Sequence, residues 1–401
     1  MSTFERHNPP IDEASGPTDP LRVAFRASEH ARLSCMPNPA VGCVLFAEGE
    51  VLAVGHTQQV GGAHAEIMAL RSASKQGKDV KDATVYVTLE PCSHHGRTPP
   101  CCDALIAAGI AKIVVATLDP NPKVAGQGLE RLRAAGIEVE LLPPDSEPSR
   151  ASRELNIGFF SRMIRGTPWV RMKMAASLDG TSALANGASQ WITGPAARAD
   201  GHAWRARACA VLTGIGTVLA DNPMLDVREL PVPRQPHLVI VDSRLETPPT
   251  ARLFTPPAQG LARQIWIYTA SGDAARRQAL EARGATVIAL PGLGSGPDAG
   301  MGQRKVDLPA MLRDLARREV NELHLEAGHK LNGSFIREGL LDECLLYLAP
   351  RLLGIGQGMA GFGPLASLAD GVQLAYQSVE RVGEDLRIVA RVAGRDAFLA
   401  G

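Results

Sequence analysis

The chain carries no net charge: 42 lysines and arginines balance 42 aspartates and glutamates over 401 residues. No global field therefore recruits nucleic acid or an anionic membrane. A long apolar run near the N-terminus is also missing. Residues 1–20 are polar and rich in proline and acidic side chains. Residues 1–18 thus read as a flexible tail, not as a signal peptide or a membrane span. There is no cysteine framework either. Seven cysteines is an odd number at irregular spacing, and without an export signal that argues for reduced thiols and a cytoplasmic protein. Cys35, Cys43, Cys209 and Cys344 read as small apolar side chains. The length is enough for two domains with separate cores.

The chemistry concentrates between His64 and Cys101. His64-Ala65-Glu66 opens a helical pattern, Thr84–Leu89 reads as a strand, and Glu90-Pro91-Cys92 follows it, with Cys101 nine residues beyond Cys92. One imidazole and two thiols can hold zinc at three corners of a tetrahedron, leaving the fourth for water, as a catalytic site requires. Glu66 is close enough to handle that water's proton without being a ligand. A closed structural zinc with Cys102 as fourth ligand is the competing reading. Glu66 discriminates, because a structural site has no use for it. His-x-Glu followed by Pro-Cys and a second cysteine is the signature of zinc-dependent nucleobase deaminases.

Strands and helices alternate around this stretch. Asp19-Pro20 caps a helix, Val41–Phe46 and Glu50–Val54 form a hairpin, and Ile110–Thr117 and Ile137–Leu142 are strands separated by a helix over Gly128–Ala135. A mostly parallel sheet covered on both faces follows, with both halves of the metal site at strand-to-helix turns. The Asp119–Gly128 loop reads as a structural connector. Pro143–Ser149 marks a boundary, so the first domain spans 19–145, a helical linker 146–166, and a second α/β domain 167–401.

In the second domain no zinc motif recurs. Two glycine-bearing turns after strands, Thr213-Gly214-Ile215-Gly216-Thr217 and Glu326-Ala327-Gly328-His329-Lys330-Leu331-Asn332-Gly333, have the form a nucleotide phosphate needs. Neither is the usual dinucleotide fingerprint.

The runs Pro37-Asn38-Pro39-Ala40-Val41-Gly42, His64-Ala65-Glu66 and Thr88-Leu89-Glu90-Pro91-Cys92-Ser93-His94-His95-Gly96-Arg97-Thr98-Pro99-Pro100-Cys101 closely resemble the bifunctional deaminase–reductase of bacterial riboflavin biosynthesis. So do Lys173 with Ser177-Leu178-Asp179-Gly180, Ser189-Gln190-Trp191-Ile192-Thr193 and Thr217–Pro223. The resemblance implies a cytidine-deaminase-like three-layer α/β/α domain joined to a dihydrofolate-reductase-like α/β domain. It selects Cys101 over Cys102 as zinc ligand, beside His64 and Cys92, with Glu66 catalytic. It implies substrate contacts at Asn38, His56, His94, Arg97, Ser189, Arg205, Leu225, Arg228 and Glu326. NADPH contacts are implied at Ala175, Trp191, Thr217, Asp221, Ser243 and Gly328, His329, Lys330, Leu331, Asn332, Gly333, Ser334. Three departures stand out. The His56-to-His64 spacing is one residue longer than the family's, Arg97 stands where some members carry Lys, and Ala327 where many carry a second Gly.

The implied activity is zinc-dependent hydrolytic deamination of 2,5-diamino-6-ribosylamino-4(3H)-pyrimidinone 5′-phosphate, then NADPH-dependent reduction of the ribosyl to the ribityl side chain. Lys173 and Asp179 are candidate proton donors for the second step. The alternative is an active deaminase beside a non-catalytic nucleotide-binding domain. The implied partner is a small phosphorylated pyrimidine, with no nucleic acid and no membrane, and relatives imply self-association. A nucleic-acid-editing deaminase would want a basic surface, which the charge balance argues against.

Overall fold

A computed structural model describes residues 19–93, 99–122, 124–292 and 304–400. The expected tail at 1–18 lies outside them. The chain divides into two compact units, Met1–Gly166 with Ala397–Gly401, and Thr167–Asp396.

In the first unit, α1 (Pro20–Ala31) starts where the Asp19 carboxylate accepts from the Leu21 N–H at 3.0 Å. Then come β1 (Gly42–Ala47), β2 (Glu50–His56), α2 (Ala65–Lys75), β3 (Thr84–Val87), α3 (Cys101–Ala107), β4 (Lys112–Val115), α4 (Gln127–Ala134) and β5 (Glu138–Leu141). The sheet order is β2-β1-β3-β4-β5. Only β3, β4 and β5 run parallel, because β1 is antiparallel to both its neighbours. The hairpin turn places Glu48 and Gly49 at φ 52° and 80°, the left-handed region favoured in tight two-residue turns.

Two glycines set how closely helices press on this sheet. A Cβ on Gly42 would sit 1.8 Å from the Ala24 carbonyl oxygen of α1, and one on Gly55 would sit 2.2 Å from the Ala65 carbonyl oxygen of α2. Ala65 lies between His64 and Glu66, so the bare backbone of β2 sets the height of the turn that carries both.

The segment 146–166, expected as a linker, is part of the first unit. It forms α5 (Glu147–Leu155) and α6 (Ile157–Arg165), broken at Asn156. The second unit also ends before 401. The turn Ala397–Leu399 joins the first unit, where Phe398 lies under the Arg165 guanidinium at 4.8 Å. Periodicity cannot assign such pieces, because the partners that bury them are far away in sequence.

In the second unit come β6 (Trp169–Ser177), β7 (Thr181–Leu184), α7 (Pro195–Arg207), β8 (Ala210–Gly214), α8 (Ile215–Asp221), β9 (His237–Val241), β10 (Ile265–Thr269) and α9 (Ala274–Glu281). They are followed by β11 (Ala285–Ala289), β12 (Pro291–Gly292), β13 (Lys305–Val306), α10 (Leu308–Arg317), β14 (Glu322–Leu325), α11 (His329–Arg337) and β15 (Glu343–Ala349). Last are β16 (Gly356–Gly358), β17 (Leu374–Val382) and β18 (Asp385–Val392). The nine-stranded sheet has the order β11-β10-β9-β8-β14-β6-β15-β18-β17. It is parallel from β11 to β15, and β18 and β17 close one edge antiparallel.

The parallel strands are near-continuous apolar runs, as strands buried on both faces must be. A buried charge row crosses them. Arg171 bonds Glu322 at 2.7 Å on one side and Glu343 on the other, and Arg391 reaches Glu343 at 3.3 Å. Among the described residues, no helix is long and apolar enough to cross a membrane.

Gly55→Ala is expected to lower the stability of the first unit by about 1–3 kcal/mol or more, because backbone of α2 must move. Gly272→Ala, with no neighbour within 4 Å, is expected to be near neutral. Denaturant unfolding of the two variants beside the parent chain checks the pair.

Candidate active sites

His64 is the N-cap of α2, in extended backbone at φ −75° and ψ 168°. Its side chain caps nothing and so remains available. Cys101 is the first residue of α3, and Cys92 lies in the loop leaving β3. His64 Nδ1 lies 3.3 Å from Cys101 Sγ and 3.5 Å from Cys92 Sγ, and the three ligand atoms all fall within 4.8 Å of one another. A tetrahedral zinc at usual bond lengths needs ligand atoms roughly 3.5 Å apart, so these residues fit the metal. Cys102 is turned away: its thiol donates to the Pro91 and Gly128 carbonyls at 3.5 and 3.6 Å. Among the described residues, no fourth ligand joins these three.

Hydrogen bonding from the Cys101 side chain pulls the Cys92 thiol down to about 4. His64 and the Cys101 N–H, 3.4 Å away, act in the same direction against burial. Metal ligation needs thiolates, and this arrangement has one already favoured. Glu66 is 3% exposed, and burial, with Cys92 next, pushes its carboxyl up. A carboxyl raised above its ordinary value suits a group that both takes and gives a proton.

The Asp119–Gly128 connector braces the Cys92 loop. The buried Glu90 carboxylate accepts from Gly126 N at 2.9 Å, Gly128 N at 3.0 Å and Asp119 N at 3.2 Å. A Cβ on Gly128 would sit 2.3 Å from the Pro91 carbonyl oxygen.

Asn38 and His56 come off the same end of the sheet as the Cys92 loop. Gly42 pairs with His56 across the hairpin, and the Thr88 N–H donates to the Gly42 carbonyl at 3.1 Å. Asn38 is half-buried, and its amide has no hydrogen-bond partner among the described residues. Burial, then His30, lowers the His56 imidazole. His94 and Arg97 lie outside the described residues.

In the second unit Arg205 of α7 grips Glu326, just past β14. Nε bonds Oε1 at 2.7 Å and Nη2 bonds Oε2 at 2.9 Å, while Nη1 reaches the Asp226 carbonyl at 2.6 Å. Burial pushes Glu326 up, but Arg205 outweighs it and holds the carboxyl well below the usual range. Lys173 on β6 is lowered by burial, against the pull of Glu326. Its ammonium has no hydrogen-bond partner among the described residues and lies 5.8 Å from the Tyr347 ring centre.

His324, which sequence reading missed, is fully buried with Nε2 3.5 Å from Glu326 Oε1. Both its ring nitrogens lack hydrogen bonds. Strand alternation, which puts residues two apart on one face, was the available signal. Asp179 is committed elsewhere. It accepts from Ser177, from Leu353 N at 3.2 Å and from Gly354 N at 2.8 Å. Ser177, then Gly354, hold it low.

The remaining expected residues divide. Trp191 is exposed under the Arg198 guanidinium at 4.7 Å. Ser189 is half-buried with no bonded partner among the described residues. Thr217 and Asp221 lie on α8. Arg228 bonds Asp226 at 3.0 Å, and Leu225 takes a left-handed φ of 52°. Ala175 packs beside Trp204 and Tyr347. Ser243 Oγ already accepts from Val306 N at 3.3 Å.

Gly328 caps α11, whose first N–H groups have no helical partner, and Lys330 is exposed there. The rest of that turn is spent on packing. Leu331 sits against Gly214, His329 Nδ1 lies 2.9 Å from the Gly358 carbonyl, and Asn332 donates to the Met359 carbonyl at 3.0 Å. Gly333 admits the Gly361 carbonyl 2.0 Å from where a Cβ would stand. Ser334 Oγ bonds back to Lys330 O at 3.2 Å.

Two family models cover these units. The cytidine and deoxycytidylate deaminase zinc-binding region matches residues 18–117, and the RibD C-terminal domain matches residues 168–388. Riboflavin biosynthesis protein RibD of Escherichia coli is 40% identical over 378 residues, covering 90% of this chain and 96% of the relative. That of Aquifex aeolicus is 39% identical over 368 residues, covering 92% and 96%. The chain belongs to the RibD family.

The solved structure of Acinetobacter baumannii RibD agrees at a TM-score of 0.79 and 36% identity, over 93% of this chain and 98% of that one. A Thermotoga maritima diaminohydroxyphosphoribosylaminopyrimidine deaminase/5-amino-6-(5-phosphoribosylamino)uracil reductase agrees at 0.79 and 30%, with the same coverage. This RibD chain therefore joins a cytidine-deaminase-like domain to a reductase domain. It is a hydrolase and an oxidoreductase of riboflavin biosynthesis, zinc-dependent in the first half and NADPH-dependent in the second. The match to the reductase model sets aside a non-catalytic second domain.

Cys92→Ser and Cys101→Ser are expected to abolish stoichiometric zinc, and Cys102→Ser to retain it. Zinc affinity of the parent should fall as pH drops, since thiolates and neutral imidazole are the binding forms. Metal analysis after dialysis against a weak chelator at several pH values measures both.

Proposed function

We propose that His64, Cys92 and Cys101 hold the zinc and that Glu66 is the proton carrier of the deamination. The observation that carries this reading is the imidazole nitrogen 3.3 and 3.5 Å from two thiols, with a buried carboxyl two residues away. Zinc, when bound, supplies Lewis acidity that eases ionisation of a water in the open corner. Glu66 takes the proton of the attacking water and returns it to the departing amine, so a C–O bond replaces a C–N bond and ammonia leaves. Asn38 offers its amide to the pyrimidine edge, and His56, His94 and Arg97 complete the substrate contacts.

The substrate is 2,5-diamino-6-ribosylamino-4(3H)-pyrimidinone 5′-phosphate, and the deaminated product passes to the second step. There NADPH, when bound, supplies hydride to C1 of the opened ribosyl group. Arg228 suits a phosphate, since a guanidinium fork meets two oxygens at once, and Arg205, its own fork held by Glu326, adds positive charge beside it. Glu326 and Lys173 face the same polar cluster, and of the two candidate proton donors Lys173 is the one available to the reacting end. Trp191, Thr217, Asp221 and the first turn of α11 contact the cofactor.

The chain works in the cytoplasm as a homo-oligomer. Support for self-association comes from β17, whose outer edge has no strand partner among the described residues and whose Leu374, Tyr376 and Val379 are exposed. Light scattering on the full chain should give a multiple of the chain mass, reduced by Val379→Lys. A monomeric parent chain would sink this part.

Purified protein given the diaminopyrimidinone phosphate should release ammonia, then consume NADPH only when substrate is present. Glu66→Gln is expected to keep its zinc, to lose roughly 10²–10⁴-fold in deamination, and to reduce the deaminated substrate at the parent rate. Ammonia release undiminished in Glu66→Gln would overturn the assignment.

A further inference from the structure

Asn156 lies at the break between α5 and α6, 5% exposed, and its amide is bonded within the protein. Oδ1 accepts from the Ala40 N–H at 2.7 Å, and Nδ2 donates to the Ala40 carbonyl at 3.1 Å and the Ser152 carbonyl at 3.2 Å. The amide thus pairs with one residue's N–H and C=O together, as a neighbouring strand would. The partner is 116 residues away in sequence.

Ala40 is the first residue after Pro37-Asn38-Pro39. Both prolines have fixed φ, so the arm from Ala40 back to Asn38 has few free torsions, and anchoring Ala40 fixes where Asn38 stands. The same helices hold this arm at two further points. Arg162 donates to the Pro37 carbonyl at 3.4 Å, and Leu155 packs with Ala40, Cys35 and Ala31. They also reach the other side of the site. Ser152 donates to the Thr88 carbonyl, and Thr88 Oγ1 accepts from Gly42 N at 3.1 Å, four residues before Cys92.

We propose that Asn156 is a positioning residue for the deamination, clamping Ala40 so that Asn38 is presented to the pyrimidine edge. With both amide hydrogens spent on protein carbonyls and Oδ1 held by the Ala40 N–H, Asn156 has no donor left for substrate, so it acts through Asn38. This rests on the substrate contact proposed for Asn38.

The test is a double-mutant cycle on the full chain with Asn156→Ala and Asn38→Ala, following deamination. Asn156→Ala is expected to lower kcat/KM roughly tenfold to a hundredfold, with zinc content and reduction of the deaminated substrate unchanged. In the Asn38→Ala background it should cost little more, because coupled residues are not additive. Should zinc content fall, the near-isosteric Asn156→Asp, which keeps the acceptor for Ala40 N, enters the same cycle with the same expected non-additivity. Asn38→Ala without effect would overturn the substrate role of Asn38 and this route with it. A damaging Asn38→Ala beside a silent or fully additive Asn156 variant would overturn the clamp alone.

Discussion

The deaminase half depends on one close approach. Strand β2 offers bare backbone at Gly55, and the Ala65 carbonyl of α2 occupies the place a side chain would take. Ala65 separates His64 from Glu66, so this contact sets both at once. Such contact cannot be softened by rotamer change, because both surfaces are main chain. The same device recurs at Gly42 under α1 and at Gly128 against Pro91. The site is thus built on backbone-to-backbone contacts where the order of the chain allows no side chain.

Around that contact, register does the gathering. Because β1 is antiparallel to both neighbours, its start lies level with the end of β2 and the exit of β3. Three loops therefore leave the sheet at one end, carrying Asn38, His56 and Cys92. Glu90 ties in the connector from β4 through three main-chain N–H groups, and Asn156 ties in the arm before β1. In each case a buried polar side chain meets backbone groups that no strand pairs, as buried N–H and C=O groups require.

The reductase half uses charge in a different way. Seven parallel strands run as apolar ribbons, yet Arg171, Glu322, Glu343 and Arg391 cross them in a buried row. Such a row tolerates no missing member, since one unpaired charge in that interior costs about 3–5 kcal/mol. Next to it, Glu326 is matched by Arg205, while both ring nitrogens of His324 are left without a hydrogen-bond partner.

By itself the sequence determined the chemistry and the class of fold. Ligand identity is a property of residue type, so His64, Cys92, Cys101 and Glu66 were legible as a zinc deaminase, and the alternation of strand and helix was legible as α/β. Family resemblance, not spacing, chose between Cys101 and Cys102. In the structure the reason is the helix itself, whose consecutive side chains point about 100° apart, so only one of the pair faces His64. Tertiary structure alone decided the rest. It turned the supposed linker into two helices of the deaminase unit and returned 397–401 to that unit. It also tied the Asp179 carboxylate to the Leu353 and Gly354 N–H groups, packed Gly333 against Gly361, and set His324 against Glu326. Apart from the His324–Glu326 pair, these depend on partners tens to hundreds of residues away, and local periodicity carries no record of which distant backbone a side chain will meet.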